Sequence, residues 1–116
     1  MALTIKQRNV SDVAVLDLTG RLWILDLPLR DLMNDLLGDG QQHFVLNLAG
    51  VDYIDSSGLG QLITIWTSIK NRGGHMTVLN PTKRVHRLLD ITRLDTVFRV
   101  FDKEEEAVEL AREASA

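Results

Sequence analysis

The sequence predicts an α/β fold: a single-domain sandwich whose mixed, mostly parallel β-sheet carries an N-terminal β-hairpin and about four helices. Two observations predict it. After two initial strand patterns, segments with apolar residues every three to four positions alternate with short apolar runs, an alternation that makes parallel strand pairs joined by crossovers. One of those runs, residues 44–48, is almost continuously apolar, as in strands covered on both faces. The chain's 116 residues suit one domain, residues 1–116, and its 45% hydrophobic content is enough to bury a core.

Each element has a local reason. Residues 3–10 alternate, with Leu3 and Ile5 apolar, and read as an edge strand. Residues 13–19 are denser in apolar side chains and read as a second strand closed by Gly20, with Asn9 to Asp12 as the hairpin turn. Leu29, Leu32, Met33, Leu36 and Leu37 form one helical stripe. Asp26 is placed to cap that helix, Pro28 is tolerated in its first turn, and Gly38 and Gly40 stop it. The run at 44–48 continues through Val51, Tyr53 and Ile54. Leu59, Leu62, Ile63, Trp66 and Ile69 mark a second helix, ended by Gly73 and Gly74. Residues 76–79 are a strand, and Asn80-Pro81 reads as an N-cap with proline at the first helical position. Val85, Leu88 and Leu89 give the third helix its apolar face, and residues 97–101 the last strand. Asp102 and Glu105 have capping-box spacing and open a terminal helix from Lys103 to about Ala114, with Glu104 and Glu106 favoured by its dipole.

Composition narrows the functional classes. A formal net charge of -3 argues against broad nucleic-acid binding, although Lys83, Arg84, His86 and Arg87 form a local basic cluster. That cluster reads first as a solvated helix face, and second as a complement to an acidic patch on a partner. The absence of cysteine removes disulfides and cysteine metal sites. With no signal pattern and no membrane-length apolar run, the expectation is a cytoplasmic protein without membrane insertion. No cofactor and no metal are expected.

The most informative stretch is Asp55-Ser-Ser-Gly58, between a strand pattern and a helix pattern. Taken alone, such a tetrapeptide is most often structural punctuation, with Ser57, nearer the helix, the better cap. A catalytic reading is weaker. The Gly-x-Ser-x-Gly elbow is missing, and His43, His75 and His86 read as solvated surface residues rather than as a base for Ser56. No glycine-rich loop with lysine is present to cradle a nucleotide. A regulatory reading uses chemistry the site has. A phosphate on Ser56 would add about -1.5 to -2 charges. The helix amides could hold it, Asp55 would repel it, and a docked partner would have to desolvate it.

At these residues the chain resembles a known family. Leu46-Asn-Leu48 followed by Tyr53-Ile-Asp-Ser-Ser-Gly-Leu-Gly60 is similar to the signature of STAS domains of the anti-sigma factor antagonist type. Gly20, Gly73-Gly74, the segment from Leu79 through Leu89, and Ile91-Thr-Arg-Leu followed by Val97-Phe98 extend the likeness along the chain. The resemblance implies a non-enzymatic partner-switching protein. Its unphosphorylated form would bind an anti-sigma factor protein kinase and release a sigma factor. The kinase would phosphorylate Ser56, and a metal-dependent serine phosphatase would reverse the change. Asp55, Ser57, Gly58, Leu59 and Gly20 would belong to the docking surface around Ser56. Arg21-Leu-Trp-Ile-Leu25 is more apolar than the family's usual polar segment. Trp23 there either packs into the core or joins a contact patch for a partner or for weak homodimerisation. The other reading is a non-switching STAS adaptor or scaffold domain of a signalling complex or lipid transport system, in which Ser56 remains as a cap.

Overall fold

A computed structural model describes residues 3–22 and 27–112. Its elements are β1 (Thr4–Val10), β2 (Val13–Leu22), α1 (Leu27–Gly38), β3 (His43–Ile54), α2 (Ser56–Asn71), β4 (His75–Leu79), α3 (Lys83–Ile91), β5 (Arg99–Phe101) and α4 (Glu104–Arg112). The strands lie in the order β1-β2-β3-β4-β5, the first pair antiparallel and the others parallel. This is the mixed sheet with an N-terminal hairpin that the sequence predicts. Ser11 and Asp12 make the hairpin turn, Ser11 in the left-handed region at φ 57, with Val10 opposite Val13. The expectations for Trp23, Ile24, Leu25 and Asp26, and for the end of the terminal helix, fall outside the described residues.

Alternation along the strands divides the core in two. Ala14, Leu16 and Leu18 of β2, Phe44, Leu46 and Leu48 of β3, and Met76 and Val78 of β4 face one side. There they pack with Leu29, Met33 and Leu37 of α1, Leu62, Ile65 and Ile69 of α2, and Val85 and Leu89 of α3. Val13, Val15, Val45 and Leu79 face the other side, against Ala107, Val108 and Ala111 of α4. Three helices therefore cover one face and α4 the other. The buried Thr77 hydroxyl donates to the Ala107 carbonyl at 2.9 Å, which satisfies a polar group that burial would otherwise penalise.

A charged cluster fixes the start of α4. Arg8 of β1 donates to both carboxylate oxygens of Asp17, at 2.7 and 3.1 Å, and also to both oxygens of Glu104. Asn47 of β3 donates to Asp17 at 2.8 Å. At the other end of α4, Arg112 donates to Asp12 at 2.8 Å. The capping-box expectation fails here: the helix opens at Glu104, so Asp102 lies one residue too early to be its N-cap.

Three further boundaries differ from expectation. Gly20 does not close β2: the strand runs on to Leu22, and Gly20, at φ 116, sits between shifts of the β2–β3 register. Asn80-Pro81 is not a cap. Asn80 is left-handed at φ 51 and donates its N–H to Phe101, which leaves Thr82 to cap α3 by accepting from the Val85 N–H at 3.3 Å. Strand β5 starts at Arg99 because the N–H groups of Val97 and Phe98 are both spent on Leu94, closing a 3-10 turn at Leu94–Thr96.

The Arg8 cluster generates a pH dependence. Hydrogen bonds from Arg8 are the first cause holding Asp17 and Glu104 below their ordinary values of 3.8 and 4.5. Carboxylates with depressed folded-state values stabilise the fold above their unfolded values and lose that contribution as pH falls through the folded ones. In urea unfolding, Arg8→Ala should be less stable than the natural chain at neutral pH, and the gap should narrow as pH drops from about 5 to about 3. A gap that is constant over that range would remove the cluster from the stability argument.

Candidate functional site

The turn between β3 and α2 is built on Asp55. Its backbone is extended, at φ -99 and ψ -177, and its Oδ1 accepts the Gly58 N–H at 2.8 Å. Its own N–H donates to the Leu22 carbonyl at 3.3 Å, and its carbonyl accepts from Leu59 at 3.0 Å. Asp55 is thus the N-cap of α2, and the expectation that Ser57 would serve as cap is wrong. The helix begins two residues earlier than that assignment needs, so Ser56 and Ser57 already occupy its first turn. An N-cap must stand just outside the helix with extended backbone, and Asp55 does.

Gly58 is buried, and a β-carbon on it would run into the Leu22 carbonyl. Only glycine lets the first turn of α2 press against the end of β2 this closely. The effect is to expose Ser56 while leaving Ser57 half-buried. The first-turn amides have no partner further back in the helix, and Asp55 takes only that of Gly58. The positive end of the helix dipole therefore sits beside the exposed Ser56 hydroxyl.

The expected docking residues have different surroundings. Asp55, Ser57 and Leu59 are half-buried, and Leu59 packs against the main core. Gly58 and Gly20 are buried, so they shape this surface through the backbone. Trp23 lies outside the described residues. At the end of β2, Arg21 reaches over the Tyr53 ring, with its guanidinium carbon 5.9 Å from the centroid, an exposed cation–π contact.

The three histidines stand apart from Ser56. His43 and His75 are partners in the β3–β4 register, at the end of the 12-residue β3 opposite the serine turn. Both are half-buried with unpartnered Nδ1 atoms, which corrects their reading as solvated residues. Burial first, then Lys70 and His43, push the His75 imidazole below its ordinary value. His86 is exposed as expected and faces Asn80, Phe101 and Glu106. Tyr53 and Ile91, which the sequence marks only as strand and family-like residues, are both exposed, and Ile91 lies off the Val85–Leu89 stripe. Among the described residues no group of three metal-ligating side chains converges, and no helix is long and apolar enough to cross a membrane.

Comparison with known proteins places this geometry. The family model for the STAS domain matches residues 8–107. The chain is 31% identical over 113 residues to the anti-sigma F factor antagonist of Paenibacillus polymyxa, covering 93% of this chain and 94% of that protein. Its structure superposes on that of the Thermotoga maritima protein tm1081 with a TM-score of 0.85 and 31% identity, over 93% of this chain and 94% of the other. The Bacillus cell fate determinant SpoIIAA in its phosphorylated form shares the fold, with a TM-score of 0.72 at 20% identity over 91% of this chain and 97% of that one.

The cap assignment separates two neighbouring residues. Asp55→Ala should cost about 1 kcal/mol in urea unfolding, whereas Ser57→Ala should stay within about 0.5 kcal/mol. Gly58→Ala should cost about 1–3 kcal/mol through its collision with the Leu22 carbonyl. Equal losses for Asp55→Ala and Ser57→Ala would contradict the cap.

Proposed function

The chain belongs to the STAS domain family, and we propose that it acts as an anti-sigma factor antagonist switched by phosphorylation at Ser56. In this reading the unphosphorylated form docks on an anti-sigma factor serine kinase and so frees a sigma factor. The kinase phosphorylates Ser56, and a metal-dependent serine phosphatase restores it.

The observation that carries the proposal is the division of labour in the first turn of α2. Asp55 holds the cap, Gly58 holds the close contact to β2, and Ser56 is left exposed. A hydroxyl with no structural duty can be esterified without breaking the fold. The added charge lies at the positive end of a helix, which tolerates it. A partner docked over the same turn would have to strip water from that charge, so the complex weakens while the domain stays folded. The name of the Paenibacillus relative, nearly as long as this chain, supports the same role. Gly20, Asp55, Ser57, Gly58 and Leu59 then set the shape of the docking surface around Ser56.

Incubation with candidate anti-sigma kinases and ATP, followed by mass spectrometry, tests this. Phosphate should appear on Ser56, be abolished by Ser56→Ala, persist in Ser57→Ala, and weaken the kinase complex about tenfold or more. Phosphate confined to other residues, or a complex indifferent to phosphate on Ser56, would reject the switch.

A further inference from the structure

Beside the serine turn, the ends of β3 and α3 enclose a shallow groove of about 250 Å³. Tyr53, Ile54, Val85, Leu88 and Ile91 give it apolar walls, and Arg84 and Arg87 supply its polar edge. Ile91 is 71% exposed and Tyr53 40%, so two of the four large apolar side chains most open to water among the described residues meet in one place. Arg84, Leu88 and Ile91 stand at i, i+4 and i+7, so the groove follows α3 for two turns, about 10 Å. Arg21 adds a third guanidinium over the Tyr53 ring.

The charges are one-sided. No carboxylate lines the groove. Among the described residues the ion pairs involve Arg8 and Arg112, and none of Arg21, Arg84 or Arg87 takes part in one. This concentration stands out on a chain whose formal charge is -3. Guanidinium groups bind carboxylates through paired, directional hydrogen bonds, and they do so more strongly next to an apolar wall that excludes water. A solvated helix face accounts for the charge but not for Ile91 and Tyr53 exposed between the arginines.

We infer that this groove docks an acidic amphipathic segment of a partner protein, about two helical turns long, with an apolar side chain set between Tyr53 and Ile91 and carboxylates on Arg84 and Arg87. The contact does not rest on modification of Ser56: a chain never phosphorylated there would bind the same segment.

A synthetic peptide with leucines at i, i+3, i+4 and i+7 among glutamates provides the probe, and a peptide with lysine in place of glutamate provides its control. Titrated into the full chain, the acidic peptide should shift NMR signals of Tyr53, Leu88 and Ile91. Affinity should fall about tenfold in Ile91→Glu and in the double variant Arg84→Gln/Arg87→Gln, but by less than about twofold in Lys83→Gln, whose side chain lies outside the groove. Circular dichroism of each variant confirms folding, and Ile91→Ser replaces Ile91→Glu if the latter unfolds. The inference is overturned by equal binding of the lysine peptide, by an equal loss in Lys83→Gln, by no binding, or by signals that shift elsewhere. It is also overturned if sedimentation shows the natural chain to be a dimer that Ile91→Glu dissociates, since the occupant is then a second copy.

Discussion

The carbonyl oxygen of Leu22 governs the geometry of the serine turn. It accepts the Asp55 N–H and lies where a β-carbon on residue 58 would be. Strand β2 thereby meets the exit of β3 and the first turn of α2 at one atom. The position of α2 along its axis follows from that contact, and so does the outward aim of Ser56. A β-carbon at position 58 would push the helix off β2. The Asp55 cap and the exposure of Ser56 would then no longer coincide. Stability and the candidate switch share one junction, yet separate side chains serve each.

The architecture was legible because strand periods, helix periods and glycine stops agree along the whole chain. The details that were not legible share a cause. Whether Asp55 or Ser57 caps α2 turns on a two-residue difference in where the helix starts, and both residue types are good caps. The start is set by the Leu22 contact, which joins residues distant in sequence. Asn80 looked like a cap from its neighbour Pro81, but β5 claims its N–H and holds it left-handed. Glu104 looked like one of several dipole-favoured acids, whereas its partner Arg8 is 96 residues away. The site was legible in its residues, and its division of roles was not, because that division comes from tertiary contacts.

The two faces of the sheet are held in different ways. The three-helix face relies on large interlocking side chains, including the fully buried Phe44 and Phe98. The α4 face is thinner, and its helix contributes Ala107, Val108 and Ala111. Small side chains let α4 lie close to the strands, and polar contacts at Arg8, Thr77 and Asp12 fix its position. Hydrophobic burial is non-directional, so where it is modest such directional bonds determine how the helix sits.

The strand order has a consequence for assembly. Each strand pairs with the one before it in sequence, so the sheet can grow by addition at one edge as the chain lengthens. Helix α4 crosses back to the face lined by β2, β3 and β4. Closing the 96-residue span between Arg8 and Glu104 costs about 2 kcal/mol more chain entropy than closing the 9-residue span between Arg8 and Asp17. Docking α4 offsets much of that cost only after the intervening strands have ordered, because they shorten the loop to be closed. Until then Val13, Val15 and Val45 lie open to water. The helix made after all five strands is therefore the cover for β2 and β3, and the nascent chain carries an apolar sheet face until α4 has emerged.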